Sequence, residues 1–125
     1  LELGNSVVLR GWAKDPQEIA KLLNQSRILV MTSYNEGGPR VVLEAMACGV
    51  PVITTDAAGV SGLLDKQHAS LITSANNPIL LSDKIRNLLV DEKAYQRIST
   101  EVYERVQDLS WEKIAEKFTK LCLFK

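Results

Sequence analysis

The sequence contains few of the residues that mark specialised protein classes. Its 125 residues include two cysteines and one histidine, and 6% are aromatic. Cys48 and Cys122 lie far apart without C-x-x-C or metal-ligand spacing, so we expect free core thiols, as in a reducing compartment, rather than a disulfide. The histidine, His68, stands in a polar turn and is expected to be solvated. Nothing in the pattern indicates a Ser/His/Asp or Cys/His arrangement or a metal site.

An excess of charge of either sign is also missing. Fifteen basic and fifteen acidic residues cancel, and no basic stripe indicates binding to nucleic acid or an anionic membrane. No apolar run is long enough to span a bilayer. We therefore expect a cytoplasmic chain, at most peripheral at the inner face of the membrane. With 46% hydrophobic and 24% charged residues, we expect one globular domain over residues 1–125.

Strand and helix patterns alternate along the first part of the chain. The predicted strands cover residues 7–9, 27–33, 51–55 and 69–73. Helices are predicted from Asp15-Pro16 and from Pro39 to near Gly49. This order predicts an α/β fold with a Rossmann-like, doubly wound parallel sheet.

The last third of the chain is predicted to be helical. They are predicted to begin at Asn77-Pro78, at Asp91 and after the cap Ser110. Each has an apolar stripe, which we interpret as core; in the last helix it consists of Trp111, Ile114, Phe118 and Leu121.

An acid in an apolar helix is the most informative feature of the sequence. Between Val41 and Cys48 every residue except Glu44 is apolar. One interpretation is an i,i+4 ion pair with Arg40, in the weaker orientation and worth a few tenths of a kcal/mol. The other is a polar ligand, since an unpartnered carboxylate in apolar surroundings costs several kcal/mol. A ribose, for example, would offer it two hydroxyl groups.

A second acid lies eight positions earlier, in a glycine loop. Glu36 precedes Gly37 and Gly38, where a predicted strand gives way to a helix. In parallel sheets, ligands bind beyond the carboxyl ends of the strands. The first turn of a helix offers unpaired amides and a positive dipole end. A phosphate-bearing small molecule is therefore expected here, bracketed by Glu36 and Glu44.

The segment EGGPRVVLEAMACGVPVITTD resembles the E-x7-E motif of retaining family 4 glycosyltransferases, in the C-terminal, donor-binding domain of a GT-B fold. VVLRGW, RILVMTSYNEGG and LSWEKIAEKFTKL are similar to further parts of that domain. The resemblance covers almost the whole chain and implies sugar transfer from a nucleoside-diphosphate sugar with retention of configuration. It implies no obligatory metal and no other cofactor.

The resemblance also implies roles for individual residues. Glu36 would contact the transferred sugar and serve in catalysis, and Glu44 would bind the ribose. The amides of Gly37 and Gly38 would address the sugar, those of Arg40 and Val41 the diphosphate, and the base would lie near Gly11 and Trp12. Tryptophan packing is the alternative for Trp12.

Several departures from the family pattern limit what the chain alone should do. Pro39, Gly62 and Ala69 differ from the usual residues, and nothing matches the family's diphosphate-neutralising Arg and Lys. We expect a domain truncated on its N-terminal side, without the N-terminal acceptor domain and inactive alone. An uncovered sheet edge would favour self-association. Two alternatives stay open: a non-catalytic nucleotide- or phosphate-binding module acting through a partner, and a purely structural domain.

Overall fold

A computed structural model describes residues 3–38, 40–56, 64, 71–74 and 76–123. The expectations for Pro39, Gly62, His68 and Ala69 concern residues outside these ranges. After a 3₁₀ turn at Gly4–Ser6, the elements are α1 (Pro16–Asn24), β1 (Leu29–Met31), α2 (Arg40–Ala47), β2 (Val52–Thr55), β3 (Ile72–Thr73), α3 (Pro78–Val90), α4 (Glu92–Gln107) and α5 (Trp111–Leu123). The helix starts predicted at Asp15-Pro16, at Asn77-Pro78, at Asp91 and after Ser110 are confirmed, and the helix predicted from Pro39 is described from Arg40. Three of the four predicted strands are confirmed, and they are shorter than expected.

The three strands form a parallel sheet in the order β1-β2-β3. Leu29 of β1 is in register with Val52 of β2, and Thr55 of β2 with Thr73 of β3. All four residues of the central strand β2 are buried, as expected when both faces of a parallel strand are covered. On β1, Val30 is 40% exposed, so one face of this edge strand is open. The predicted α/β class with a parallel sheet is confirmed.

The core lies between β2, α2 and the inner faces of α3 and α4. Its fully buried members are the side chains Val42, Ala45, Met46, Val52, Ile53 and Val102. The helix α2 contributes half of them, because residues three and four positions apart share one face of a helix. The helix that follows the glycine loop is therefore fixed against both the sheet and α4.

Side-chain caps fix the starts of the helices. Asp15 accepts a hydrogen bond from the amide of Glu18 at 2.8 Å, Asn77 from Leu80 at 2.9 Å, and Asp91 from Ala94 at 3.0 Å. Each replaces a partner that the first turn of a helix lacks.

A glycine ends α2. Gly49 has φ +67°, the left-handed conformation common just after the end of a right-handed α-helix. The amide of Val50 donates to the carbonyl of Ala45 at 2.9 Å, which caps the C-terminus of α2. The carbonyl of Gly49 accepts from Ser99 Oγ at 2.6 Å. This bond ties the end of α2 to α4.

Two predictions about apolar segments are wrong. Residues 7–9 form no strand, and Val8 and Leu9 are 70% and 94% exposed, because the run has no hydrogen-bonded strand partner among the described residues. The α5 stripe is not core, since Trp111 and Phe118 are 83% and 68% exposed. Cys48 and Cys122 are free thiols as expected, but Cys122 is exposed because it lies on α5.

Candidate functional site

The loop between β1 and α2 lies at the carboxyl end of the sheet. Glu36 in this loop is exposed, and its Oε1 accepts a hydrogen bond from Ser33 Oγ at 3.0 Å. The carbonyl of Ser33 accepts in turn from Thr55 Oγ1, at the end of β2, at 2.5 Å. The carboxylate of Glu36 is therefore held towards the strand ends by a short chain of hydrogen bonds.

The glycines after Glu36 leave open space in front of α2. A Cβ atom built on Gly37 would meet no atom within 4 Å. Gly38 has φ +136°, a conformation that side-chain-bearing residues rarely adopt. The loop thus exposes its backbone, as a site that binds a ligand through main-chain amides requires.

The helix α2 begins at Arg40 in the structure, with Val41 and Val42 completing its first turn. The amides at the start of a helix have no partner within that helix, and the positive end of its dipole lies at the same place. The loop and this first turn together present amide donors to any anionic group beyond the strand ends.

Glu44 lies in the second turn of α2, on the side turned away from the buried Val42. Its side chain is 34% exposed, so the helix is less enclosed at this position than its apolar sequence indicates. The Glu44 Oε1 atom lies 3.7 Å from Arg40 Nη2, a contact longer than a hydrogen bond. The ion pair expected as one interpretation therefore exists, but it leaves the hydrogen-bonding capacity of the carboxylate largely unused.

Glu44 opens onto a groove of about 350 Å³ between α2 and the junction of α4 with α5. The lining residues, apart from Glu44, are Leu43, Ala47, Val106, Gln107, Leu109 and Ser110. Just beyond the groove, the pKa of Asp108 is lowered, first by the hydrogen bond that Lys113 donates to it. The pKa of Glu112 is lowered by its own backbone amide and by Ser110. The start of α5 therefore holds its carboxylates ionised.

Gly11 and Trp12 lie in the irregular segment before α1. Gly11 has φ +71°, and the Trp12 side chain is 100% exposed. Trp12 therefore does not pack against the described residues, in contrast to what the alternative interpretation expected. The structure brings Glu36, both glycines, Arg40, Val41 and Glu44 together through one continuous segment of chain, whereas Gly11 and Trp12 belong to a separate segment.

Sequence reasoning missed a cavity at the strand ends. It has a volume of about 290 Å³ and is lined by residues that follow or end all three strands, among them Thr32, Thr55 and Thr73. The available signal was the hydroxyl residues at these positions, in MTS, TTD and ITS. The carboxyl ends of parallel strands meet at one edge, so these polar residues had to meet.

Two further features bear on the class of protein. Among the described residues, no three His, Cys, Asp or Glu side chains come close enough together to hold a metal ion. None of the helices described is both long and apolar enough to cross a membrane.

Comparison with protein families gives a match over most of the chain. The family described as glycosyl transferases group 1 matches residues 1–105. The D-inositol 3-phosphate glycosyltransferase of Corynebacterium jeikeium is 30% identical over 96% of this chain and 29% of its own length. The N,N'-diacetylbacillosaminyl-diphospho-undecaprenol alpha-1,3-N-acetylgalactosaminyltransferase of Campylobacter jejuni is 33% identical over 83% of this chain and 28% of its own length.

A solved structure resembles the fold closely. The sucrose-phosphate synthase of Thermosynechococcus elongatus superposes with a TM-score of 0.84 and 30% identity, over 96% of this chain and 30% of that chain. In each of these comparisons the chain spans less than a third of the relative's length.

Proposed function

Because the chain belongs to the glycosyl transferases group 1 family, we propose that it is the donor-binding part of a glycosyltransferase that takes a sugar from a nucleoside diphosphate. The GT-B resemblance expected from the sequence is confirmed by the family match and by the superposed synthase. Assignment to family 4 and retention of configuration stay predictions, and they rest on the Glu36 and Glu44 spacing.

The environment of Glu44 is the main support for this proposal. Its carboxylate is only partly exposed and stands 3.7 Å from its cationic neighbour Arg40. Two adjacent hydroxyls of a ribose would each donate a hydrogen bond to it, a pairing with an ionised acceptor that is stronger than one between neutral groups.

The diphosphate would lie at the start of α2 in this proposal. There the amides of Arg40 and Val41 and the helix dipole oppose its negative charge. This charge grows as the bond to the sugar breaks, so fixed donors aimed at the leaving group lower the barrier. Among the described residues, Arg40 supplies the cation at the start of α2. Any further positive charge placed there would add to this effect.

The sugar would lie over the glycine loop. The open space at Gly37 lets a ring approach the loop amides, and Glu36, held by Ser33, would accept hydroxyl hydrogens or stabilise positive charge on the sugar. The base would extend towards Gly11 and the exposed ring of Trp12, which offers a stacking surface. Transfer would require a separate acceptor domain, the partner that this family uses.

Backbone amide shifts of the isotopically labelled chain test the proposal. UDP, GDP and their sugar derivatives are titrated at millimolar concentration into the wild type, Glu44→Ala and Glu116→Ala. Glu116→Ala is the matched control because Glu116 forms an i,i+4 ion pair with Lys120 at 2.6 Å on α5, far from the loop in sequence. We expect shifts centred on residues 37–44, preferring one base, that persist in the control and are lost in Glu44→Ala.

A second variant separates folding from binding. Gly37→Ala places a methyl group where no protein atom lies within 4 Å, so the chain should keep its stability while a sugar over the loop is obstructed. Silence from every nucleotide, or equal shifts in Glu44→Ala, would contradict the proposed site.

A further inference from the structure

A cavity of about 570 Å³ lies between α1 and the irregular segment before it. The helix contributes Gln17, Lys21 and Gln25 to its lining, which share one face because they are four positions apart. The preceding segment contributes Arg10 and Lys14. The volume falls within the range for small-molecule sites, roughly 300–1,000 Å³, so a small ligand fits here.

Three cations line this cavity, and none has an ion-pair partner among the described residues. They are Arg10, Lys14 and Lys21, all exposed to solvent. The cations that do form ion pairs include Arg27, Arg40, Arg86, Arg97, Lys113 and Lys120. In a chain with equal numbers of basic and acidic residues, three unpaired cations at one cavity are a local excess of positive charge, which favours an anionic ligand.

Two acids also line the cavity, and both are engaged with the start of α1. Asp15 Oδ1 accepts a hydrogen bond from the amide of Glu18 at 2.8 Å. Glu18 Oε2 accepts one from the amide of Lys14, also at 2.8 Å. This reciprocal arrangement caps the helix, which explains the two acids without a ligand. Three cations and two acids leave the lining with one net positive charge.

The chemistry of the lining selects the class of ligand. The guanidinium of Arg10 can donate to two phosphate oxygens at once, and a lysine supplies a point charge. The side-chain amides of Gln17 and Gln25 donate and accept hydrogen bonds, as hydroxyl groups do. A neutral sugar would leave the cations without a partner, and a bare phosphate would leave the amides unused. A phosphate ester of a polyhydroxy compound, such as a sugar phosphate, engages both.

We propose that this cavity binds a phosphorylated polyhydroxy compound, with its phosphate held by Arg10, Lys14 and Lys21. None of the lining residues belongs to the glycine loop or to α2, so the site is separate from the proposed contacts of the diphosphate and the ribose. Arg10 precedes Gly11 in the sequence, so the site would lie close to the proposed base. The proposal does not depend on donor binding.

Titration of the labelled chain with soluble phosphates tests the proposal. Glucose 6-phosphate, inorganic phosphate and glucose are compared at millimolar concentration. We expect amide shifts in residues 10–25 with glucose 6-phosphate, weaker binding of inorganic phosphate, and no shifts with glucose. Because the cations are exposed, the affinity should fall as salt is added. The same shifts should appear in Glu44→Ala, which separates this site from the donor site.

Variants that remove positive charge identify the groups responsible. Arg10→Gln and Lys21→Gln each replace one exposed cation by a neutral side chain. We expect about tenfold weaker binding of glucose 6-phosphate, as for the loss of a hydrogen bond to a charged group. The control Lys93→Gln alters an exposed lysine of α4 that does not line the cavity, and it should bind like the wild type.

The opposite change of charge gives an independent check. Asp15→Asn removes a negative charge from the lining, and asparagine is an equally good helix cap. The melting temperature should therefore stay close to that of the wild type. We expect Asp15→Asn to bind glucose 6-phosphate severalfold more tightly.

A lipid headgroup can carry the same chemistry as a soluble sugar phosphate, and sedimentation with vesicles distinguishes the two sources. The vesicles contain phosphatidylcholine with or without phosphatidylinositol phosphate. Shifts with glucose 6-phosphate and no sedimentation would assign a soluble ligand, whereas sedimentation that requires the phosphorylated lipid and Arg10 would assign a headgroup. Silence in both experiments would overturn the proposal. So would unchanged binding by Arg10→Gln and Lys21→Gln, or weaker binding by Asp15→Asn.

Discussion

At the scale of single residues, the candidate site depends on how Glu44 is partnered. The apolar sequence around it predicts burial, yet its side chain is 34% exposed, because successive residues of a helix turn by about 100° and the buried face falls on Val42, Ala45 and Met46. Arg40 is the cation beside this carboxylate among the described residues, and it lies 3.7 Å away, which is longer than a hydrogen bond. In our proposal, a ligand would use the oxygen atoms of this carboxylate, because the 3.7 Å contact with Arg40 leaves them free to accept hydrogen bonds.

Replacing Arg40 by alanine tests this balance. The Arg40 side chain is 89% exposed and 3.7 Å from Glu44, so we expect the free energy of unfolding to change by less than about 0.5 kcal/mol. Urea unfolding measures the change. The comparison variant is Arg27→Ala, which loses a 2.7 Å ion pair with Glu92 and a cation–π contact with Tyr95 and should be more destabilising. A larger loss for Arg40→Ala would support the purely structural interpretation of Glu44.

At the scale of elements, the sequence predicts what is local and misses what depends on neighbours. The caps Asp15, Asn77 and Asp91 mark helix starts because the cap residue and the capped amide are three positions apart. Apolar residues at helical spacing, in contrast, show that one face of the helix is apolar, but they do not show which element packs against that face. This explains why α5 was predicted as core although its stripe is exposed. The prediction of a strand at residues 7–9 was wrong for the same reason, because a strand forms only beside a hydrogen-bonded partner strand.

The start of α4 gives a prediction about pH. The pKa of Glu92 is lowered from 4.5, first by the hydrogen bond from Gln96 and then by that from Arg27. A carboxyl whose pKa is lower in the folded state stabilises the fold above its ordinary pKa, and this contribution is lost as the pH falls through the folded value. Glu92→Gln should therefore lower the urea midpoint at neutral pH, and the difference from the wild type should shrink below pH 4.5.

The control for this prediction is Glu104→Gln, at an exposed position of the same helix. It should give a urea midpoint close to that of the wild type across the same pH range. A constant difference between Glu92→Gln and the wild type, from neutral to acidic pH, would show that the ionisation of Glu92 contributes nothing to stability.

At the scale of the whole molecule, the fold class was predictable because strands and helices alternate with short connections. The glycine loop and α2 were predictable for the same reason, since a parallel sheet places its loops at a known edge. The cavity at the strand ends was missed, because its threonines are distant in sequence and come together only through the register of Thr55 with Thr73. The conformation of the irregular segment that contains Trp12 could not be predicted from the local sequence pattern either.

The surface of the described chain also leads us to propose self-association. Trp111 and Phe118 are largely exposed, and β1 is paired on one side only among the described strands. Large apolar patches and open strand edges favour association. Light scattering should show a mass that rises with concentration. Phe118→Glu should lower this mass if the chains associate through α5, and Val30→Lys should lower it if they associate through the edge of β1. Tyr103→Glu, at a 48% exposed position of α4, is the matched control, and a monomeric mass at high concentration would contradict the proposal.

We propose above all that Glu44 and the start of α2 bind a nucleoside diphosphate. A crystal structure of the chain with the nucleotide that gives the strongest amide shifts tests it most directly. We predict the diphosphate at the amides of Arg40 and Val41, and ribose hydroxyls about 2.5–3.0 Å from the carboxylate of Glu44. A nucleotide bound elsewhere, with Glu44 still facing Arg40, would contradict this binding mode.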